Sequence, residues 1–215
     1  MNLLDLTPGA AQLAMAEWIA AREEKPYRIH QIIPRLWQRP VTDWMATTDL
    51  PRSLTLALNE EFPLPRPSLE AQQRSADGTV KYLWRFDGQT AVESVLIPEG
   101  RRRTICISSQ AGCAYACVFC ATGRMGFQRH LAAWEIVAQV RELALDPSSG
   151  LPTHVVFMGM GEPLHNWNAV DTALTILNDE RGLGIGARRI TVSTIGIIPG
   201  MTKLAARPEQ FRVAL

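Results

Sequence analysis

Cysteine is scarce in this chain: four residues in 215, all between positions 106 and 120, with none after Cys120. Long apolar runs are lacking as well. No N-terminal stretch has the form of a signal peptide, and none reaches membrane-spanning length. These absences argue against export or membrane insertion, and the expectation is a cytosolic (cytoplasmic) protein. In a reducing compartment, clustered cysteines point to metal or redox chemistry rather than to a disulfide framework. Net charge is only +1, so no overall field marks a nucleic-acid partner. Internal repeats and low-complexity tracts are missing too. Length sets an expectation of one or two domains, and a 47% hydrophobic fraction against 20% charge supplies a real core.

Local charge says more than the total. Between Gly100 and Leu131 lie Arg101, Arg102, Arg103, Arg124, Arg129 and His130, with no acid among them. Such a run is either a solvated basic loop or a surface that meets phosphate. Through position 90 the balance is 10 basic to 11 acidic residues, so that part has no basic face.

Residues 1–75 read as a small helical domain. "AAQLAMAEWIAARE" has apolar residues at helical spacing, with Thr7-Pro8 as its start; "RIHQIIPRLWQ" and "PRSLTLALNEEF" follow. Trp18, Trp37, Trp44 and Leu56 are its candidate core. "FPLPRPSLEAQQRSADG" reads as a linker. Within residues 76–98, "TVKYLWRF" and "QTAVESVLIP" around an Asp-Gly turn read as a β-hairpin. From 99 to 215 strands and helices alternate: "TICISS", "LAAWEIVAQVRELAL", "THVVFMGM", "NWNAVDTALTILND", "RRITVSTIG", "GMTKLAAR" and "FRVAL". That order predicts an α/β fold with parallel strands, open or closed into a barrel, and active groups at the strands' C-terminal ends. The cysteine loop, "GMGEP" and "STIG" all fall there. The chain stops at about its fourth parallel strand, which predicts an exposed edge and a longer parent protein.

"CAYACVFC" spaces Cys113, Cys117 and Cys120 as CxxxCxxC. Three thiolates on three irons of a four-iron cluster leave the fourth iron open to a substrate's amine and carboxylate. Zinc is the rival, but a structural zinc site needs four ligands, commonly paired CxxC motifs, and there is no second pair. Cys106 and His130 are the spare candidates for a fourth ligand. The expectation is three sulfurs gathered about one cluster.

CxxxCxxC directly after the first strand of a βα repeat, with Phe119 before the last cysteine, resembles the radical S-adenosylmethionine (SAM) superfamily. The stretches "RRRTICISSQAGCAYACVFCATGRMGFQRHLAAWEIVAQV", "VVFMGMGEPLHNWNAV" and "RRITVSTIGIIPGMTKLA" are similar to the RlmN-type RNA adenine-C2 methyltransferases and their C8-modifying relative Cfr. The resemblance implies a partial (β/α) radical SAM barrel, truncated after about four strands and preceded by the helical domain and hairpin. It implies a [4Fe–4S] cluster on Cys113, Cys117 and Cys120, and S-adenosyl-L-methionine held by Gly161, Glu162 and Ser193, with the glycines letting backbone approach the ligand. It implies Cys106 as a second catalytic cysteine that forms a disulfide with a methyl-carrying cysteine, and Glu93 or Cys106 as the base that removes the C2 proton. Glu162 also has a plain reading as a helix-capping residue, Ser193 as a strand-end hydroxyl and Glu93 as an exposed hairpin residue. Arg101, Arg102, Arg103, Arg124 and Arg129 are the candidate RNA contacts, although arginines near an anionic cluster also offset its charge. The implied partners are 23S rRNA, tRNA beside the anticodon, and an electron donor such as flavodoxin; the expected state is a monomer.

The similarity breaks where the methyl-carrying cysteine and a later serine motif belong, since neither is in the sequence. The activity is therefore expected of a longer protein and not of this polypeptide alone. Another radical SAM reaction, and a zinc-stabilised RNA-binding module, are the competing readings.

Overall fold

The computed structural model of the chain describes residues 1–146 and 149–215. Thr7 accepts a hydrogen bond from the Ala10 amide at 3.4 Å, and Pro8 opens α1 (Pro8–Ala21), the start expected there. The second helical pattern is broken. α2 (Ile29–Ile32) is one turn flanked by 3-10 turns, and Pro34, with no amide hydrogen, interrupts the α-helical ladder. α3 (Arg52–Glu61) follows. Trp18, Trp37 and Trp44 are buried among these helices, whereas Leu56 is 50% exposed and stays out of the core.

Residues 62–78 are not simply a linker. They contain β1 (Ser68–Arg74), an edge strand whose seven side chains are all exposed. Backbone pairing to β2 (Val80–Phe86), not burial, holds it, so no apolar alternation marks it in the sequence. β2 and β3 (Thr90–Glu99) form the expected hairpin, turning at Asp87 and Gly88, which both take positive φ (47° and 76°).

The remaining elements are β4 (Arg102–Cys106), β5 (Gln110–Gly112), α4 (Ala121–Arg124), β6 (Phe127–His130), α5 (Ala133–Leu145), β7 (His154–Phe157), α6 (Trp167–Asn178), β8 (Ile190–Ser193), α7 (Ile198–Ala205) and β9 (Arg212–Ala214). Among the described residues seven strands make one sheet in the order β1-β2-β3-β4-β7-β8-β9, so the hairpin continues the main sheet. β4, β7, β8 and β9 run parallel, with α5, α6 and α7 as crossovers. These are the four strands expected of a partial barrel. β9 is the far edge, with Val213 and Leu215 exposed. β5 and β6 pair apart from the main sheet, a small hairpin the sequence did not announce.

Alternation assigns the two faces. Ile105, Val155, Phe157, Ile190 and Val192 are buried. Cys106, Val156, Thr191 and Ser193 are half-buried and point the other way. Register extends that second face to the hairpin, because Val95 pairs with Cys106 and Glu93 lies two residues from Val95. Glu93, Cys106 and Ser193 therefore share one face.

The helical block is bonded to α5. Arg141 is buried at 1% exposure and donates from Nε to the Leu36 carbonyl (2.8 Å) and from an Nη to the Val41 carbonyl (2.6 Å). Burial pushes its guanidinium down to about 10, which leaves it charged at neutral pH. The Trp134 amide donates to Asp5 at 2.9 Å, and Arg66 pairs with Glu142. One hydrophobic core runs through both parts. Among the described residues no helix is long and apolar enough to cross a membrane.

Candidate functional site

The cysteine loop leaves β5 and returns through α4 to β6. Gly112 takes φ +70°, and a Cβ there would lie 1.8 Å from the Gly126 carbonyl oxygen, so only glycine lets the two ends of the loop close. The Cys113 amide donates to that same carbonyl at 3.0 Å. Within the loop the Cys117 amide donates to Tyr115 and the Cys120 amide to Cys117. α4 packs on the loop at Gly123, where a Cβ would meet the Tyr115 carbonyl at 3.1 Å and the Cys117 nitrogen at 3.2 Å. The three cysteines are half-buried, while Val118 and Phe119 at the tip are almost fully exposed.

All four cysteines are free thiols. The disulfide implied for Cys106 requires a cysteine outside this sequence, and none forms among the described residues. Nor do any three His, Cys, Asp or Glu side chains among them gather as ligands of a single ion do. A ready-made zinc tetrahedron is therefore absent among the described residues. The donor set nonetheless fits a four-iron cluster. Each of its thiolate ligands takes a different iron, so the ligands stand further apart than those of one ion, and a single tightly closed loop supplies all three.

The loop after β7 is locked to the segment after β4. The Ser109 amide donates to the Met160 carbonyl (2.9 Å), the Met160 amide to the Ser108 hydroxyl (2.8 Å) and the Glu162 amide to Gln110 Oε1 (2.8 Å). The glycines serve that contact. A Cβ at Gly159 would lie 2.7 Å from the Ile107 carbonyl, and one at Gly161 (φ +95°) would lie 2.4 Å from Gln110 Cβ. The space these glycines clear is filled by the chain's own backbone and Gln110, so their missing side chains serve the packing of the two loops.

Glu162 is 4% exposed. Its Oε1 accepts from the Leu164 amide (3.0 Å) and the Thr194 hydroxyl (2.7 Å), and its Oε2 from the Ile195 amide (3.0 Å). The capping role is thus present, joined to a strut between the ends of β7 and β8. Ser193 ends β8 half-buried, while its neighbour Thr194 makes the buried contact.

Glu93 lies on β3, half exposed, with its carboxylate 2.9 Å from Lys81 Nζ. Burial pushes the Cys106 thiol up, partly offset by a hydrogen bond with the Met158 backbone. The five arginines separate. Arg101, Arg102 and Arg103 sit at the start of β4, the end of the strand away from the cysteine loop. Arg103 donates to the Ser149 and Leu151 carbonyls. Arg129 is bidentate to buried Glu135 (2.6 and 2.7 Å) and also meets Asp87, Thr90 and the His130 carbonyl, so its donors are used internally. Arg124 alone stands on the cysteine loop's own helix.

Several site residues escaped the sequence reading. Buried Gln139 accepts from the Ser108 amide (2.9 Å) and donates to the Ser108 carbonyl (2.8 Å), pinning the chain just past β4. A glutamine within the apolar stripe of "EIVAQV" was the available signal. Asn166 ties the Ser109 and Leu131 carbonyls. Gln110 Nε2 lies 3.0 Å from His130 Nδ1 and 3.3 Å from His165 Nδ1, and the imidazoles meet edge to face at 5.0 Å. Burial, then the charge of His165, lowers the pKa of His130.

Comparison with known proteins gives a consistent picture. Residues 107–214 match the radical SAM superfamily, and residues 1–63 match the ribosomal RNA large subunit methyltransferase N-terminal domain. A probable dual-specificity RNA methyltransferase RlmN of Gemmatimonas aurantiaca is 54% identical over 214 residues, covering 100% of this chain and 59% of that protein. A dual-specificity RNA methyltransferase RlmN of Dichelobacter nodosus is 42% identical, covering 95% of this chain and 57% of its own length. A radical SAM methyltransferase from Sphaerobacter thermophilus, solved by crystallography, superposes with a TM-score of 0.88 at 39% identity, covering 99% of this chain and 62% of that one. The chain thus spans about three fifths of the relatives it matches.

Proposed function

Because the chain belongs to the radical SAM superfamily and carries an RlmN-type N-terminal domain, we propose that it is the larger part of an enzyme methylating C2 of adenosine in RNA. The proposed substrates are 23S rRNA in the peptidyl-transferase region and tRNA next to the anticodon. The observation that carries the reading is one of placement. The CxxxCxxC loop lies in the connection from β4 to β7, just after β5, while Glu162 follows β7 and Ser193 ends β8; β4, β7 and β8 are adjacent parallel strands.

A bound [4Fe–4S] cluster and S-adenosylmethionine would supply radical chemistry, which C2 of adenine calls for because it offers a methyl cation no nucleophile. Cys113, Cys117 and Cys120 would hold the cluster from their single loop. Glu162 would fix the β7 and β8 loops, and its Oε2, with one protein donor, keeps a lone pair for the ammonium of the cofactor's methionine end. Gly161 would set the backbone of that loop, and Ser193 would add a hydroxyl at the end of β8. Glu93 is the favoured proton acceptor: it is paired as a carboxylate with Lys81, while burial keeps the Cys106 thiol protonated. Cys106 would then be the resolving thiol. Arg124, beside the loop, is the favoured RNA contact of the five arginines. The enzyme would work in the cytoplasm as a monomer, with an electron donor such as flavodoxin.

Anaerobic reconstitution with iron and sulfide tests the reading. The expected product is brown, its absorption changes on adding S-adenosylmethionine, and Cys113→Ala, Cys117→Ala and Cys120→Ala each abolish the colour. Colourless protein that retains zinc under the same conditions overturns it.

A further inference from the structure

Next to the cysteine loop, outside the residues assigned to the cluster or cofactor, lies a cleft of about 360 Å³. His130, His165, Trp167, Asn168 and Lys203 are among its walls. We infer that this cleft receives a phosphodiester of the RNA strand flanking the target base, a step that rests on the RNA-methylating reading above.

The argument starts from one amide. The Glu162 N–H donates to Gln110 Oε1, which fixes the orientation of the Gln110 side chain and turns its NH₂ toward both histidines. Each Nδ1 therefore accepts, and each neutral imidazole carries its proton on Nε2. Neither Nε2 has a protein partner in the hydrogen bonds of the described residues, so two outward N–H donors are left on adjoining rings. Lys203 adds one exposed ammonium with no ion pair among the described residues. One cation and two neutral donors match the single negative charge of a phosphodiester better than the near-double charge of a phosphomonoester. Half-buried Trp167 gives the same cleft an aromatic wall of the kind nucleotides pack against. The first turns of α6 and α7 also face it, and neither helix has a side-chain cap.

Position supports the assignment. The His165 ring lies 5.6 Å from the ring of Tyr115, inside the cysteine loop. A strand whose phosphate rests in the cleft is thereby led past the place where the reacting base must be presented. The contact reads backbone and not sequence, as expected of a positioning site.

The test is a salt titration of binding by the 215-residue chain to two labelled single-stranded RNAs of unrelated sequence, followed by fluorescence anisotropy. Lys203→Gln should weaken both RNAs by the same factor, about five- to tenfold near 0.1 M salt, and flatten the slope of log K against log salt by about 0.7. Lys203→Arg should restore the slope. His165→Phe, which keeps the ring packing and deletes the donor, should weaken both RNAs with the slope retained. Arg74→Gln, the same charge change on edge strand β1, should alter neither. Binding by the unsubstituted chain with an unchanged slope in Lys203→Gln overturns this inference alone. No RNA binding by the unsubstituted chain also overturns the inference, while the methyltransferase reading stands or falls separately on cluster reconstitution. Displacement of RNA by polyglutamate at equal charge concentration marks a general polyanion surface and also overturns the inference.

Discussion

Glu162 Oε1 accepts the Thr194 hydroxyl at 2.7 Å, so the loop leaving β7 and the loop leaving β8 are one mechanical unit. The ends of parallel strands are separate loops unless something ties them, and here a buried carboxylate does so with three donors from two loops. Any ligand at this end of the sheet meets a surface already set before it arrives.

Glu162→Gln preserves size and removes the second acceptor oxygen. One of the three donors then faces an NH₂ group in a buried place, at a cost of about 1–3 kcal/mol. Urea unfolding monitored by tryptophan fluorescence should show a lower midpoint with an unchanged slope. An unaltered midpoint would mean the strut carries no load.

Arg141 performs a similar task between the helical block and α5. Arg141→Met keeps much of the side-chain volume but leaves the Leu36 and Val41 carbonyls without their buried donor. The expected loss is about 3 kcal/mol. Hydrogen exchange should locate it: amides of α1 and α2 gain exchange first, while β4 and β7 keep their protection. Uniform acceleration across the chain contradicts the assignment.

The elements readable in the sequence are those with a local cause. Thr7-Pro8 caps and opens α1, Asp87-Gly88 supplies the left-handed conformations of a tight turn, a short apolar run marks β7, and apolar alternation marks β8. What was illegible has causes distant in the chain. β1 is wholly exposed and exists because β2 pairs with it. β5 and β6 are three and four residues long, too short to show a period, and meet across the cysteine loop. The site divides the same way. The cysteine spacing is a local pattern, but nothing near Gly161 in the sequence says that Gln110 fills the space its missing Cβ leaves.

Arg129 shows how composition alone hides a residue's partners. It belongs to a run without acids, yet its partners Asp87 and Glu135 come from outside that run. Arg129→Gln should lower stability by about 1.5–3 kcal/mol, the scale of charge-assisted hydrogen bonds, while leaving RNA affinity and its salt slope unchanged. Thermal unfolding and the anisotropy titration measure the two effects separately. A flattened salt slope at unaltered stability would return Arg129 to the RNA surface.

Cys106 offers a prediction with a definite sign. Burial raises its pKa in the folded chain, so at any pH below that value less thiolate is present than in the unfolded chain. In a variant with Cys113, Cys117 and Cys120 replaced by alanine, iodoacetamide should modify Cys106 with a pH midpoint above that of the same variant in urea. Linkage gives the companion result. Below the unfolded thiol's pKa the group is neutral in both states and its contribution is fully present. As pH rises from there through the folded pKa, the unfolded state ionises first and stability falls. Replacing Cys106 by alanine in that background should remove this alkaline loss. A folded midpoint at or below the unfolded one would mean that the thiol is poised as a thiolate, and would shift the role of base from Glu93 to Cys106.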